Sequence, residues 1–273
     1  MAVAGRRAAA KPAIKAIIAL LGCALIMQAA TEHALGRQVA SPPARMLWAW
    51  ERPEDLRFID AKTTGVAYLV ATIKLRGGAV ICINRHQPLR VPPGTYMMPV
   101  VRIESDGTLD SSRTTEIEKI AAIIPRFLTP RVRGFQFDFD ARKSERGWYK
   151  NFLLKMRETL PADLYLSMTS IASWCLGDDW INGNKLPVDE VVPMFFEMGA
   201  DTRQIGVLLD NGNTFGHTFQ SIGISDKDMA INKRLGKFVT GILKPTPRLY
   251  MFSRKPWNQQ KVQTLVQEVN NWK

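Results

Sequence analysis

The chain has 273 residues, 46% of them hydrophobic and 23% charged, which is the composition of a folded globular protein rather than a low-complexity or fibrous one. Its formal charge is +12, with 37 Lys+Arg against 25 Asp+Glu. No Lys/Arg block and no aromatic-interleaved basic motif accompanies that charge, which argues against nucleic acid as a partner.

The N-terminus differs from the rest. Arg6, Arg7, Lys11 and Lys15 precede an apolar stretch from Ala16 to Ala30 that only Gln28 interrupts. At about 14 residues the stretch is short for a membrane span, which needs ~20, and suits the apolar core of an export signal. Residues 1–30 are therefore expected to be a signal. Cleavage could follow Gln28-Ala29-Ala30, leaving Thr31 first. Leu20-Leu21-Gly22-Cys23 also resembles a lipobox, which would leave Cys23 lipidated, and an uncleaved anchor is the third outcome. All three give an exported protein, periplasmic or secreted, with peripheral or lipid-anchored membrane association open to it. Without the signal, 33 Lys+Arg face 25 Asp+Glu, and the remaining charge of about +8 suits anionic envelope polymers or lipid headgroups, or is a solvated surface. Cys82 and Cys175 fall on separate strands and are expected as two buried thiols rather than a disulfide.

After a linker over 31–45 containing Ser41-Pro42-Pro43, short apolar runs alternate with helical patterns. Strands are expected at Met46–Trp50, Val66–Ala71 and Thr95–Ile103. A hairpin of Ile73–Leu75 and Ala79–Ile83 around Arg76-Gly77-Gly78 follows the second. Further strands are expected at Phe135–Phe139, Leu164–Met168, Val191–Phe195, Ile205–Leu209 and Leu249–Phe252. Helices are expected at Thr114–Phe127, Trp148–Leu160, Asp226–Val239 and Lys261–Trp272. Eight strands with intervening helices over 46–273 predict one (β/α)8 barrel domain of the TIM type. A doubly wound sheet would carry a Gly-rich phosphate loop after the first strand, and none is present.

The run Gly134-Phe135-Gln136-Phe137-Asp138-Phe139-Asp140 carries the chemistry. Strand side chains alternate faces, so the phenylalanines go to the helix layer and Gln136, Asp138 and Asp140 to the lumen. The polar row ends at the C-terminal rim, where barrel enzymes hold their sites. Two neighbouring carboxylates raise each other's pKa, and a protonated acid beside an ionised one is what glycosidic cleavage requires. Pairing of one aspartate with Arg102 or Arg142 would instead make the pair structural. Trp50, Glu51, Arg102, Glu104, Trp174 and Asp210 (with Asn211) are further rim candidates for substrate binding, since aromatic faces stack on sugar rings. His86 and His217 have no spaced partner, so no metal is expected, and no Gly-x-Ser-x-Gly elbow or cofactor motif appears.

Trp48-Ala49-Trp50-Glu51-Arg52-Pro53-Glu54-Asp55-Leu56, Gln87-Pro88-Leu89, Val100–Glu104, Gln136–Asp140 and Pro193–Gly199 together resemble a bacterial family of exported proteins catalogued as domain of unknown function 3142. That family implies no established activity. More distantly, the alternating Gln136, Asp138 and Asp140 resemble the acidic run on the fourth strand of family-18 chitinases. That resemblance implies Asp140 as general acid, Asp138 as the assisting carboxylate, and Gln136 in place of an innermost acid. Met194-Phe195-Phe196-Glu197 is similar to that family's Met-x-Tyr-Asp, with Phe196 for Tyr and Glu197 for Asp, and Trp257 resembles a tryptophan flooring the sugar subsite. These readings imply a carbohydrate-active protein, a glycoside hydrolase acting on an envelope or extracellular polysaccharide through Asp138, Asp140 and Glu197. The alternative is a non-catalytic barrel that binds a glycan or a protein.

Overall fold

The computed structural model describes residues 39–178, 180–212, 220–242 and 247–272. The expected signal at 1–30, with Cys23 and Thr31, and His217 lie outside the described residues.

The barrel strands are β1 (Arg45–Ala49), β3 (Thr64–Arg76), β6 (Met97–Ser105), β7 (Gly134–Asp138), β8 (Tyr165–Ile171), β9 (Glu190–Met194), β10 (Ser221–Ser225) and β11 (Arg248–Phe252). Two-residue strands β2 (Glu54–Asp55) and β5 (Leu89–Arg90) pair with each other, and β4 (Ala79–Asn84) pairs antiparallel with β3. The sheet runs β1-β11-β10-β9-β8-β7-β6-β3-β4, and parallel pairing of β1 with β3 closes eight strands into a barrel. The helices are α1 (Thr114–Ile123), α2 (Arg146–Thr159), α3 (Ser173–Leu176), α4 (Trp180–Gly183), α5 (Thr202–Asp210), α6 (Met229–Ile242) and α7 (Gln259–Asn270). No helix among the described residues is long and apolar enough to cross a membrane.

Alternation places the core. Phe135, Phe137 and Phe139 face outward into one apolar cluster with Trp148, Tyr149 and Phe152 of α2. Phe137 meets Phe152 edge to face at 4.9 Å. Leu47, Ala49, Ile222, Ile224 and Met251 face outward into a second cluster with α5, α6 and α7. The expected seventh strand at Ile205–Leu209 is instead helix α5, and the seventh barrel strand is Ser221–Ser225. The apolar positions Ile205, Leu208 and Leu209 recur at helical spacing, whereas Ser-Ile-Gly-Ile-Ser has too few apolar residues to read as a strand. The hairpin is not separate from the second strand either. β3 continues through a register shift between Leu69 and Ala71 and carries its second half beyond the barrel to pair with β4. Cys175 is buried and Cys82 half-buried, both as free thiols.

The lumen is filled in layers. At its base Glu190, fully enclosed, accepts from Ser167 at 2.9 Å, Tyr250 at 2.6 Å, Ser221 and Arg248. Arg248 also donates to the carbonyls of Pro42 at 3.1 Å and Pro43 at 3.0 Å, seating that part of the expected linker against the barrel. Above this, Trp48 crosses the lumen and donates to Gln136 at 2.8 Å. Gly223 makes room for it: a Cβ there would stand 2.9 Å from the indole. The C-terminal ends of the strands stay open above Trp48.

Candidate active site

Asp138 ends β7, and Asp140 stands two residues beyond it at the rim. Arg102 of β6 lies opposite Asp138 in the parallel register. With Glu197, on the segment after β9, these three line one cavity of about 270 Å³ at the mouth of the barrel. Trp48, Trp50, Phe196 and Phe252 supply its aromatic wall. Phe196 and Phe252 stack at 4.9 Å and 9°, and Trp50 meets Phe252 edge to face at 6.3 Å. Aromatic rings and carboxylates lining one concavity make it the candidate ligand site.

The two aspartates are wired differently. Asp138 is buried, and its Oδ1 accepts from the Thr169 hydroxyl at 2.7 Å. Burial pushes its carboxyl up, while the Thr169 bond and the Arg102 charge pull it back. Asp140 has no hydrogen bond or ion pair among the described residues. Its side chain reaches solvent, yet the cavity walls surround it on the other sides. That enclosure, with the charge of Asp138, raises its carboxyl to about 6, against the opposing pull of Arg102. The pair thus holds a proton at mildly acidic pH, at the group that water and substrate can reach.

Glu197 is exposed, adopts a left-handed backbone with φ of 53°, and pairs with Arg254 from the segment after β11. A non-glycine residue in this region costs about 1–3 kcal/mol, and such strain clusters at functional sites. Among the described residues Arg102 makes one ion pair, with Glu104 at 3.6 Å, and Glu104 also holds Lys74 at 3.3 Å.

Four expected site residues stand elsewhere. Gln136 is fully enclosed below the cavity, where it accepts from Trp48 and donates to Ser167 at 2.9 Å, so it supports the floor without facing the opening. Trp174 lies in the single turn of α3, which carries it into the helix layer, 4.9 Å from Trp180 and under the guanidinium of Arg146. Trp257 is buried outside the barrel wall, donating from Nε1 to the carbonyl of Trp48 at 2.9 Å, with its backbone N–H on Glu54. Asp210 ends α5 and pairs with Arg234 at 3.5 Å, because the segment expected as a strand is a helix. Glu51 and Glu104 are near the rim but do not line the cavity, and Glu51 accepts from Thr72 at 3.4 Å. Thr169 and Phe252 were not expected. Both continue the inward-facing rows of their strands, after Ser167 on β8 and Tyr250 on β11, and alternation alone would have found them. Among the described residues no group of three or more His, Cys, Asp or Glu is arranged to hold a metal ion.

No protein-family model matches the sequence, so the resemblance to domain of unknown function 3142 gains no support from one, and no curated protein matches it. Among solved structures, a family GH18 chitinase from Chromobacterium violaceum is 11% identical over 87% of this chain and 85% of that chain, with a TM-score of 0.51. The chitinase domain of the spore coat protein CotE from Clostridium difficile is 12% identical over 79% of this chain and 66% of that chain, with a TM-score of 0.38. At that identity the likeness to the first is one of fold, an eight-stranded parallel barrel ringed by helices.

Proposed function

We propose that this chain is an exported carbohydrate-active protein, a glycoside hydrolase acting on an envelope or extracellular polysaccharide. The observation that carries the reading is the Asp138/Asp140 pair at the open end of a barrel, beside a wall of aromatic rings, with the Asp140 carboxyl raised to about 6 and no bond among the described residues holding it to a structural task. Asp140 donates its proton to the glycosidic oxygen as the bond to the anomeric carbon breaks, and Asp138 faces the positive charge that develops. Water then adds to the anomeric carbon, and a carboxylate takes the proton that water releases. Glu197, on the same cavity, is the candidate for that role. Trp50 and Phe252 offer aromatic contact to the ring from the cavity wall, and Arg102 offers a cation to a substrate carboxylate.

A glycan panel spanning chitin, peptidoglycan, poly-uronate and neutral glucan chains tests the reading. The protein is expected to release reducing ends from one of them, and Asp140→Asn is expected to abolish that release while binding persists. Binding without release by the parent would favour a non-catalytic glycan-binding barrel, to which the engagement of Glu197 by Arg254 lends support. Export rests on residues 1–30 alone. Intact mass of the native protein is expected to give Thr31 or a lipidated Cys23 as the first residue, and recovery of a chain beginning at Met1 in the cytoplasm would sink it.

A further inference from the structure

We propose that the sheet face formed by β6, β3 and β4 beyond the barrel continues the cavity as a platform for further units of a polymeric glycan. The inference rests on the carbohydrate reading of the cavity and extends it to chain length. Strand register carries it: Asp138 stands opposite Arg102, Arg102 opposite Thr72, and Thr72 opposite Ile83. A second row joins Glu104, Lys74 and Ile81. Residues opposite one another in a sheet share a face. Ile81 and Ile83 therefore lie on the face that leads into the candidate acid, whereas Val80 and Cys82 point the other way, into the core beneath α1.

The apolar character of that face has no occupant among the described residues. Ile81 is 50% exposed and Ile83 46%, on an edge strand whose only partner among the described strands is β3. Exposed branched aliphatics on an edge strand are a liability that folded proteins ordinarily remove, so a pair of them on the sheet that carries Arg102 points to a ligand. The rest of the face is polar: Thr72 is buried under the Glu51 carboxylate, and the half-open part is Lys74 and Glu104, paired at 3.3 Å, with Arg102 next to them. A sugar unit has an apolar C–H face and a rim of hydroxyls, and this face offers aliphatic contact beside donors and acceptors. From β7 to β4 it spans three strand spacings of about 4.8 Å each, more than one sugar ring, so a chain held in the cavity reaches Ile83 only if it is polymeric.

Isoleucine methyl spectra of the Asp140→Asn protein test this with internal controls, because Ile171 and Ile205 line the cavity. The probes are disaccharides and hexasaccharides of N-acetylglucosamine, glucose and galacturonate. A hexasaccharide is expected to move the Ile171, Ile205, Ile81 and Ile83 signals, and the disaccharide of the same sugar only the first two. Ile81→Ser with Ile83→Ser is expected to weaken the hexasaccharide about tenfold and leave the disaccharide unchanged. A hexasaccharide that moves Ile171 and Ile205 alone overturns the platform and leaves the carbohydrate reading intact. No response at any of the four overturns both. Ile81 and Ile83 signals that move on dilution and not with sugar would give the face to self-association and overturn the proposal.

Discussion

The two ends of the barrel lumen use the same ingredient to opposite effect. At the base Glu190 is surrounded by donors: two serine hydroxyls, the Tyr250 hydroxyl and the Arg248 guanidinium. At the mouth Asp138 has one hydroxyl donor, and Asp140 has none among the described residues. A buried carboxylate with its lone pairs satisfied is part of the scaffold, since removing a partner would strand a charge. A carboxylate left short of donors and beside another carboxylate has a raised pKa and an available proton. Burial alone therefore does not leave a carboxyl with an available proton; the count of donors around it decides that.

The largest effect should come from the wall that both ends share. Phe137→Asp puts a charge without a partner into the helix layer and is expected to cost more than about 4 kcal/mol, enough to unfold the chain. A Phe137→Asp protein with an unchanged melting temperature would show that the strand faces the other way, and both ends of the comparison would fall. Next comes the base. Arg248→Met leaves Glu190 enclosed without its cation and should cost about 3–5 kcal/mol, lowering Tm by on the order of 10 °C in thermal melts.

The mouth should respond in the opposite sense. Asp140→Asn is near-isosteric and is expected to fold as well as the parent or better, while turnover of the glycan is lost. The pH dependence gives the sign. With its carboxyl raised to about 6 from an ordinary 3.8, Asp140 holds in the folded state a proton that the unfolded chain has released. The folded state thus binds more protons between about pH 4 and pH 6, and the parent loses stability as pH rises through that window. The Asn variant escapes this loss, so their stabilities should agree below about pH 4, separate between about pH 4 and pH 6, and keep that difference above it. An Asp140→Asn protein less stable than the parent at pH 7 would make Asp140 a structural partner after all.

The smallest effect concerns Arg102, whose charge draws both aspartates downward. Arg102→Met should move the alkaline limb of kcat/KM upward from about pH 6, by less than about one unit given the exposure of the guanidinium. A limb that stays in place would separate Arg102 from the pair and leave it to the substrate.

Local pattern made much of this legible. The alternation in Phe135–Asp140 set which face each side chain takes, because strand side chains alternate whatever the fold around them. It brought Asp138 and Asp140 to the mouth and the phenylalanines to the helices. Trp50 and Glu197 also reached the cavity. The failures share a cause. Ile205–Leu209 is apolar enough for a strand, and over so short a segment the helical spacing of Ile205, Leu208 and Leu209 outweighs that only once one face packs on the barrel; that error carried Asp210 out of the site. Ser221–Ser225 is a strand whose apolar content is low because Gly223 must clear Trp48, a residue 175 positions earlier in the chain.

Sequence alone thus determined the closed α/β barrel and the facing of its fourth strand, since periodicity and residue size are local properties. Tertiary structure decided the rest: that Gln136 is a strut under Trp48, that Trp174 and Trp257 turn away from the opening, and that Glu190 and Arg248 lock the base. It also decided that the hairpin is a continuation of the second barrel strand, in register with Arg102 and through it with Asp138. Each of these depends on which distant groups become neighbours, and donors, clearances and register across strands arise only when the barrel closes.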